Sequence, residues 1–462
     1  MRLTRRQVLA GAASGALGAA GLYELVDRLT AAPARRAARA RLPTEQHLLD
    51  GLEILVDDGV EVVVPPLHHR LVTARVAARD LPAAKRALEA RLAELDRRYE
   101  PTPAGLGVTV GWGLPYFRRL GAEEALPVDL RASRTKARPV RALVDAIRFP
   151  SDPHDVVLER NDVAVLLRSD RLEHLDDAER ALFEELHVLE RTSVRKGFVG
   201  GGFHGGPGLP KQMAQAAGIP GADLIPDGAE LFLGFTSTQR AGLGPGRIAN
   251  LETLGYVELG RHVRVFRGGT HMHVSHVSED VEAWYLNFDF GERVSTAFRP
   301  GLRVQLGAQT VRQAPAGVAS PRAVRRDFDR SGTIGHSASI QTSSRLAADI
   351  VGSDGVVYRK GTAVPQRADF NTLDNPFAWS ADPARDGMRD APAAGVHFVV
   401  FNPSADDFHR NRLAMDGVLP DGTRLAFAPR DRGQGINSVL RTTHRQNFLV
   451  PPRAHRSFPL VR

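Results

Sequence analysis

Sixteen histidines and no cysteine stand in the 462 residues of the chain. Any metal chemistry must therefore run through imidazole, carboxylate, phenol or carbonyl ligands. The missing thiols also exclude disulfides, thiolate heme ligation and a cysteine nucleophile. Residues 331–345 read SGTIGHSASIQTSSR, with His336 alone among small polar residues and no acidic neighbour. A neutral imidazole there can give a nitrogen lone pair to a metal, or can sit hydrogen-bonded in a turn. The local sequence leaves both readings open. A second group, THMHVSH, holds His271, His273 and His276. On a strand His271 and His273 share one face and His276 takes the other. Two histidines on one face can hold zinc or copper. No Asp or Glu completes such a set locally, and an ordinary polar strand face explains them more simply. G-x-S-x-G elbows and H-E-x-x-H helices are absent, so serine and zinc-peptidase hydrolysis lack support.

Elements that position these residues can be read from periodicity. HRLVTARVAARD, GLGVTVGWG, NDVAVLLRSD and ERTSVRKGFVG read as strands, and LPAAKRALEARLAELDRRYE and RLEHLDDAERALFEELHVL as amphipathic helices. Strand–helix–strand twice over is the order of a split βαβ, ferredoxin-like unit. The second half repeats it. RHVRVFRGGTHMHVSHV has strand character, SEDVEAWYLNF opens a helix with Ser278 or Asp280 as N-cap, and GVHFVVFNP is a strand. SADDFHRNRLAMDG reads as a helix ending at Gly417, and NSVLRTTHRQNFLVPP as a closing strand. The expected fold class is α+β, two ferredoxin-like halves with a cleft between or beside their sheets. Between the halves lies GFVGGGFHGGPGLPKQ. It fits neither G-x-G-x-x-G opening a helix nor a Walker loop, and reads as a flexible connection or a lid.

Length makes two domains the default. The expected boundaries are a leader and linker over 1–43, an N-terminal domain over 44–225 and a C-terminal domain over 226–462. Hydrophobic residues at 42% and charged residues at 25% exclude a mostly disordered chain. The net charge of +8 is spread over the chain, with bases alternating with acids as in RALEARLAELDRR. That pattern marks solvated helix faces and argues against a nucleic-acid partner. At the N-terminus, Arg5–Arg6 follow Thr4, and an uncharged Ala/Gly-rich run extends from Gln7 to Tyr23. This suits a twin-arginine export signal, a route for proteins folded around a cofactor. The expected location is periplasmic or extracellular, with a membrane anchor if the segment stays uncleaved. TAAPARRAARA offers no clean cleavage site.

The order of segments resembles the dye-decolourising (DyP-type) heme peroxidases over about residues 65–462. GVTVGWGLPYF is similar to that family's T-x-x-G-x-G-x-x-x-F strand, and LFLGFTSTQRAG to its G-F-x-D-G segment. GGTHMHVSHVSEDVEAWY resembles its G-G-(S/T)-Y-x-V-x-R…W region, and GHSASIQTSSR falls where it places the proximal-histidine loop. VPQRADFNT resembles the segment with the distal arginine. GVHFVVFNPSADDFHRNRLAMDG and RQNFLVPP match the last helix and strand. The resemblance implies heme b, with His336 as axial ligand and metal-binding residue, and Phe235, Arg345 and Arg367 also at the cofactor. Arg367 would steady the charge that develops as peroxide is cleaved, with Arg359 the competing assignment. It also implies hydrogen peroxide and a small organic reductant as reaction partners, and is compatible with a homo-oligomer. Where the family has its aspartate this chain has Ser237, too weak a base to move a peroxide proton unaided, though able to hold a water. Two alternatives follow: a heme-binding protein without turnover, or a copper or zinc protein using His271 and His273. Trp112 and Trp284 could relay electrons, but core packing explains both better.

Overall fold

The computed structural model describes residues 19–30, 42–57, 60–133, 138–201, 208–235, 254–302, 319–352, 355–362, 364–374, 392–426, 428–431 and 434–462. Arg5, Arg6 and Ser237, and much of the glycine-rich run, lie outside them.

Helix α1 is Ala19–Thr30. The first half then runs β1 (His68–Val76), α2 (Leu81–Arg98), β2 (Gly107–Gly113), β3 (Val163–Ser169), α3 (Leu172–Glu179) and β4 (Leu189–Phe198). The second runs β5 (Thr270–Glu279), α4 (Val281–Asn287), α5 (His336–Gln341), β6 (Phe370–Thr372), β7 (Gly395–Asn402), α6 (Ala405–Met415) and β8 (Leu440–Val450). Within the first half the strands lie in the order β4-β1-β3-β2, within the second β8-β5-β7-β6. Both are the ferredoxin-like arrangement, so the fold is α+β as expected. The halves join at two narrow seams. Asn371 pairs with Phe198 across β6–β4, and Phe448 and Leu449 pair with Gly113 and Trp112 across β8–β2. These seams close the eight strands into one barrel, which leaves no free edge along the ring.

Alternation along each strand divides inside from outside. Leu71, Leu166, Met272, Phe401 and Phe448 fill the lumen. In the first half, the outward residues Val72, Val165 and Leu167 pack directly under α2 through Leu88, Leu92 and Leu95. Asp80 caps α2 by accepting from the Ala83 N–H at 2.9 Å, and Pro82 stands in its first turn. Asp280, one of the two expected caps, does the same for α4. Residues 261–266, expected to be part of a strand, lie in a short 3-10 turn and helix instead, and β5 begins at Thr270. Gly268 at φ +79° turns the chain between them, a conformation that carries no penalty without a Cβ.

Helix α1 overlaps the end of the run read as an export signal. Its Leu22, Tyr23 and Val26 are buried against Met213 and Phe232. The Tyr23 hydroxyl donates to Asp374 at 2.8 Å, and Asp27 meets His68 at 2.6 Å. No helix among the described residues is long and apolar enough to cross a membrane.

Candidate functional site

In the second half, α6 packs on only part of the sheet's outer face, where Phe408 meets His273 and Val400. Ser275, Val277 and Glu279 of β5, and Val396, Phe398 and Val400 of β7, face a cavity covered by α5 and α6. The empty space amounts to about 1590 Å³, its solvent-open mouth included. Most of the wall is apolar, with Leu233, Phe235, Phe298, Phe408, Met415 and Ile436 among its residues. The polar groups that line it are of four kinds: His336, the carboxyls of Glu279 and Asp369, the guanidiniums of Arg367, Arg412 and Arg445, and small amides and hydroxyls.

His336 is the first residue of α5, not a turn residue. The helix is set by a close approach. Ala338 N–H donates to the Phe298 carbonyl at 3.0 Å, and a Cβ added at Gly335 would lie 2.1 Å from that oxygen. Glycine is therefore required immediately before the histidine. His336 Nδ1 is buried and finds no hydrogen-bond partner. Burial first, then the charges of Arg367 and Arg412, lower its pKa to about 4. At neutral pH the ring is an uncharged imidazole with a nitrogen uncommitted to the protein.

Arg367 lines the same cavity, 3.8 Å from Asp369 through Nε. The competing Arg359 is exposed and bound to Asp349 at 2.6 Å, outside the cavity. Phe235 stands in the wall, with its ring edge-on to Phe298 at 4.8 Å. Arg345 is not brought to the cavity; its Nη1 donates to the Gly361 carbonyl at 2.9 Å. Below the cavity, buried Asp152 accepts from Arg445 at 2.7 Å and lies 3.4 Å from Arg412, which also meets Asp416 at 2.7 Å.

His271 and His273 do share a face of β5, as the alternation required, but they do not form a metal centre. His273 uses both nitrogens, at 2.7 Å to Asn447 and 2.6 Å to Ser275, and its ring stacks on Phe408. Among the described residues no group of three His, Cys, Asp or Glu could hold a metal ion. Trp112 and Trp284 are fully buried, and each indole N–H donates to a backbone carbonyl.

Sequence reasoning missed Glu279 and Asp369. Glu279 Oε2 is buried with no hydrogen-bond partner. Its pKa is raised to about 8, by burial first and then by the negative charge of Asp369. Both had a signal. Asp369 follows Arg367 by two residues in an extended segment, and Glu279 lies at even spacing from Ser275 and Val277, so each pattern projects to one face.

A closed barrel of two ferredoxin-like halves is the fold shared with the DyP-type peroxidases. The encapsulated DyP-type peroxidase of Mycobacterium smegmatis aligns at 12% identity with a TM-score of 0.50, over 86% of this chain and 96% of that one. The DyP-type peroxidase of Cellulomonas bogoriensis aligns at 17% and 0.50, over 90% and 95%. At these identities the likeness is one of fold. The chain itself belongs to the family of unknown function DUF7405, which it matches over residues 66–452. No curated protein matches it in sequence.

Proposed function

We propose that this protein binds heme b in the cavity beneath α5 and α6, with His336 as axial ligand, and that it reduces hydrogen peroxide while oxidising an organic compound. One observation carries the reading. A half-buried, uncharged imidazole whose buried Nδ1 has no partner stands in the wall of a largely apolar cavity that also holds arginines and two carboxyls. A porphyrin suits this environment, since its faces are apolar and its iron takes a neutral nitrogen ligand. Heme supplies the redox chemistry of peroxide reduction when bound.

The chain's own residues supply the rest. Gly335 fixes the backbone at the start of α5, and so the position of the His336 ring. Phe235, Phe298 and Phe408 line the cavity that would hold the group and keep it poorly hydrated. Arg367, held near Asp369, offers a fixed positive charge to a peroxide oxygen as negative charge develops on it. The proposed setting is export by the twin-arginine route, with Arg5–Arg6 as the signal.

The test is turnover of a dye with hydrogen peroxide by heme-loaded protein. Arg367→Ala is expected to lower the rate about 100-fold, the scale of losing one charge-stabilising donor, with heme content unchanged. Heme-loaded protein without turnover would instead support a heme-handling role, the reading that Ser237 favours.

A further inference from the structure

Six arginines are buried among the described residues: Arg70, Arg168, Arg195, Arg412, Arg445 and Arg456. Five of them meet a carboxylate. Arg70 meets Glu179 at 2.7 Å, Arg195 meets Glu159, Arg412 meets Asp416 at 2.7 Å, Arg445 meets Asp152 at 2.7 Å and Arg456 meets Asp96 at 2.6 Å. Arg168 meets none among the described residues; its Nη2 donates to the His47 carbonyl at 2.6 Å, and its buried Nε has no partner. We propose that Arg168, His69 and His47 bind a small monovalent anion of the chloride class inside the barrel, at the end crossed by residues 42–50. This site lies on the lumen side of the sheet. It does not rest on the heme reading, whose cavity lies on the outer face.

Strand register and packing bring the three residues together. His69 of β1 and Arg168 of β3 stand directly opposite each other in the antiparallel pair, on the face that Leu71 and Leu166 turn to the lumen. The same cross-strand row ends in a glycine on each side, Gly197 of β4 next to His69 and Gly107 of β2 next to Arg168. A Cβ at Gly197 would collide with Phe370, and one at Gly107 with Leu49, so these apolar side chains close in on the row. His47 enters from the segment 42–50, which is fixed across the barrel end. Its neighbour Gln46 accepts from the Val110 N–H at 2.9 Å and donates to the Pro451 carbonyl at 2.7 Å. The His47 ring lies 5.0 Å from Phe401, and the His69 ring stacks on Phe370 at 4.9 Å. All four ring nitrogens of His47 and His69 are buried without a hydrogen-bond partner.

The charge balance selects the ligand class. Burial lowers the Arg168 pKa only to about 10, so the guanidinium is charged at pH 7. His47 is held neutral, its pKa lowered to about 3 by burial first and then by Arg168, and the same two causes hold His69 well below its ordinary value. Each neutral imidazole carries one N–H. The donors therefore come with a single positive charge and no carboxylate to balance it. Water satisfies N–H groups but leaves a buried charge uncompensated, which is costly in apolar surroundings. One small negative charge balances the cation and accepts from imidazole and guanidinium alike. An ion held there joins β1, β3 and the 42–50 segment, and so acts as a counter-ion that keeps this segment in the barrel end.

The experiment uses full-length, heme-free protein at pH 7, with sodium chloride exchanged for sodium gluconate at constant ionic strength. The urea midpoint of the native protein is expected to rise with chloride and to saturate, as for a ligand bound by the folded state alone, with bromide acting alike. Arg168→Met is expected to remove the rise. His69→Phe, which keeps a ring on Phe370, is expected to weaken the apparent chloride affinity about tenfold, the scale of one hydrogen bond to a charged group. Crystals of the native protein soaked in bromide are expected to show an anomalous peak beside the Arg168 guanidinium, a readout that needs no variant to fold. A native midpoint indifferent to chloride overturns the proposal, and bromide at Arg168 without such a response is an adventitious ion only. An equal chloride response in a folded variant, or bromide bound only at other places, also overturns it. Each of these failures leaves heme binding at His336 untouched.

Discussion

Asp152 is the perturbation whose cost follows most directly from geometry. Its side chain is 0% exposed; Oδ1 accepts from Arg445 at 2.7 Å and lies 3.4 Å from Arg412, and Oδ2 accepts from the Phe149 N–H at 2.7 Å. Both guanidiniums are themselves buried, at 1% and 7% exposure. Arg412 keeps a second carboxylate, Asp416 at 2.7 Å, but no other ion pair holds Arg445 among the described residues. Burial already lowers the Arg445 pKa to about 10, so desolvation and charge attraction are closely opposed there. Asp152→Ala leaves one buried cation unpaired beside another, which costs about 3–5 kcal/mol. If the chain unfolds as one unit, its length gives an unfolding entropy near 1 kcal/mol per degree, so Tm drops by only about 3–5 °C. The better assay is urea unfolding followed by circular dichroism at pH 7. Asp152→Asn keeps an acceptor for Phe149 and is expected to lose roughly half as much. An Ala variant within about 0.5 kcal/mol of the native protein, as for an ordinary surface site, would refute the reasoning.

Three further outcomes are expected. Gly335→Ala should destabilise the protein by about 1–3 kcal/mol, because its Cβ meets the Phe298 carbonyl and must push α5 away; an unchanged urea midpoint contradicts this. Tyr23→Phe strips Asp374 of a buried donor and should cost about 1–3 kcal/mol, with faster proteolysis near α1; equal protection would mean that α1 is not seated in the core. Glu279 keeps its proton to about pH 8 in the folded chain, whereas an ordinary glutamate near 4.5 releases it in the unfolded one. Folded protein therefore holds more protons across that window, and stability falls as pH rises through it. Glu279→Gln removes this loss, so its stability relative to the native protein should climb between pH 5.5 and 7.5 by at most about 1.4 kcal/mol per pH unit; a constant difference counts against the shift.

Strand alternation made most of the barrel legible. β1, β2, β3, β4, β7 and β8 fall where their apolar residues alternate, and the capped helices α2, α4 and α6 fall where Asp80, Asp280 and Ser404 stop the preceding chain. What sequence could not carry is tertiary in origin. Helix α5 has six residues, HSASIQ, too short to hold by propensity; it exists because Ala338 reaches the Phe298 carbonyl. Ring closure depends on single pairings such as Asn371 with Phe198, which leave no local pattern. At the site, His336 and Arg367 were found through the order of family-like segments, and the structure places both in one cavity. Glu279 and Asp369 stand at positions whose meaning appears only once their strands face the same space.

The most direct measurement is the optical spectrum of full-length protein supplied with heme, native and His336→Ala. The native protein is expected to bind heme with a Soret band, and the variant to lose or strongly shift it, with the glutamine and alanine changes at Arg359 leaving it unchanged. A native protein without a Soret band, or one whose band is indifferent to His336→Ala, would contradict heme ligation at His336.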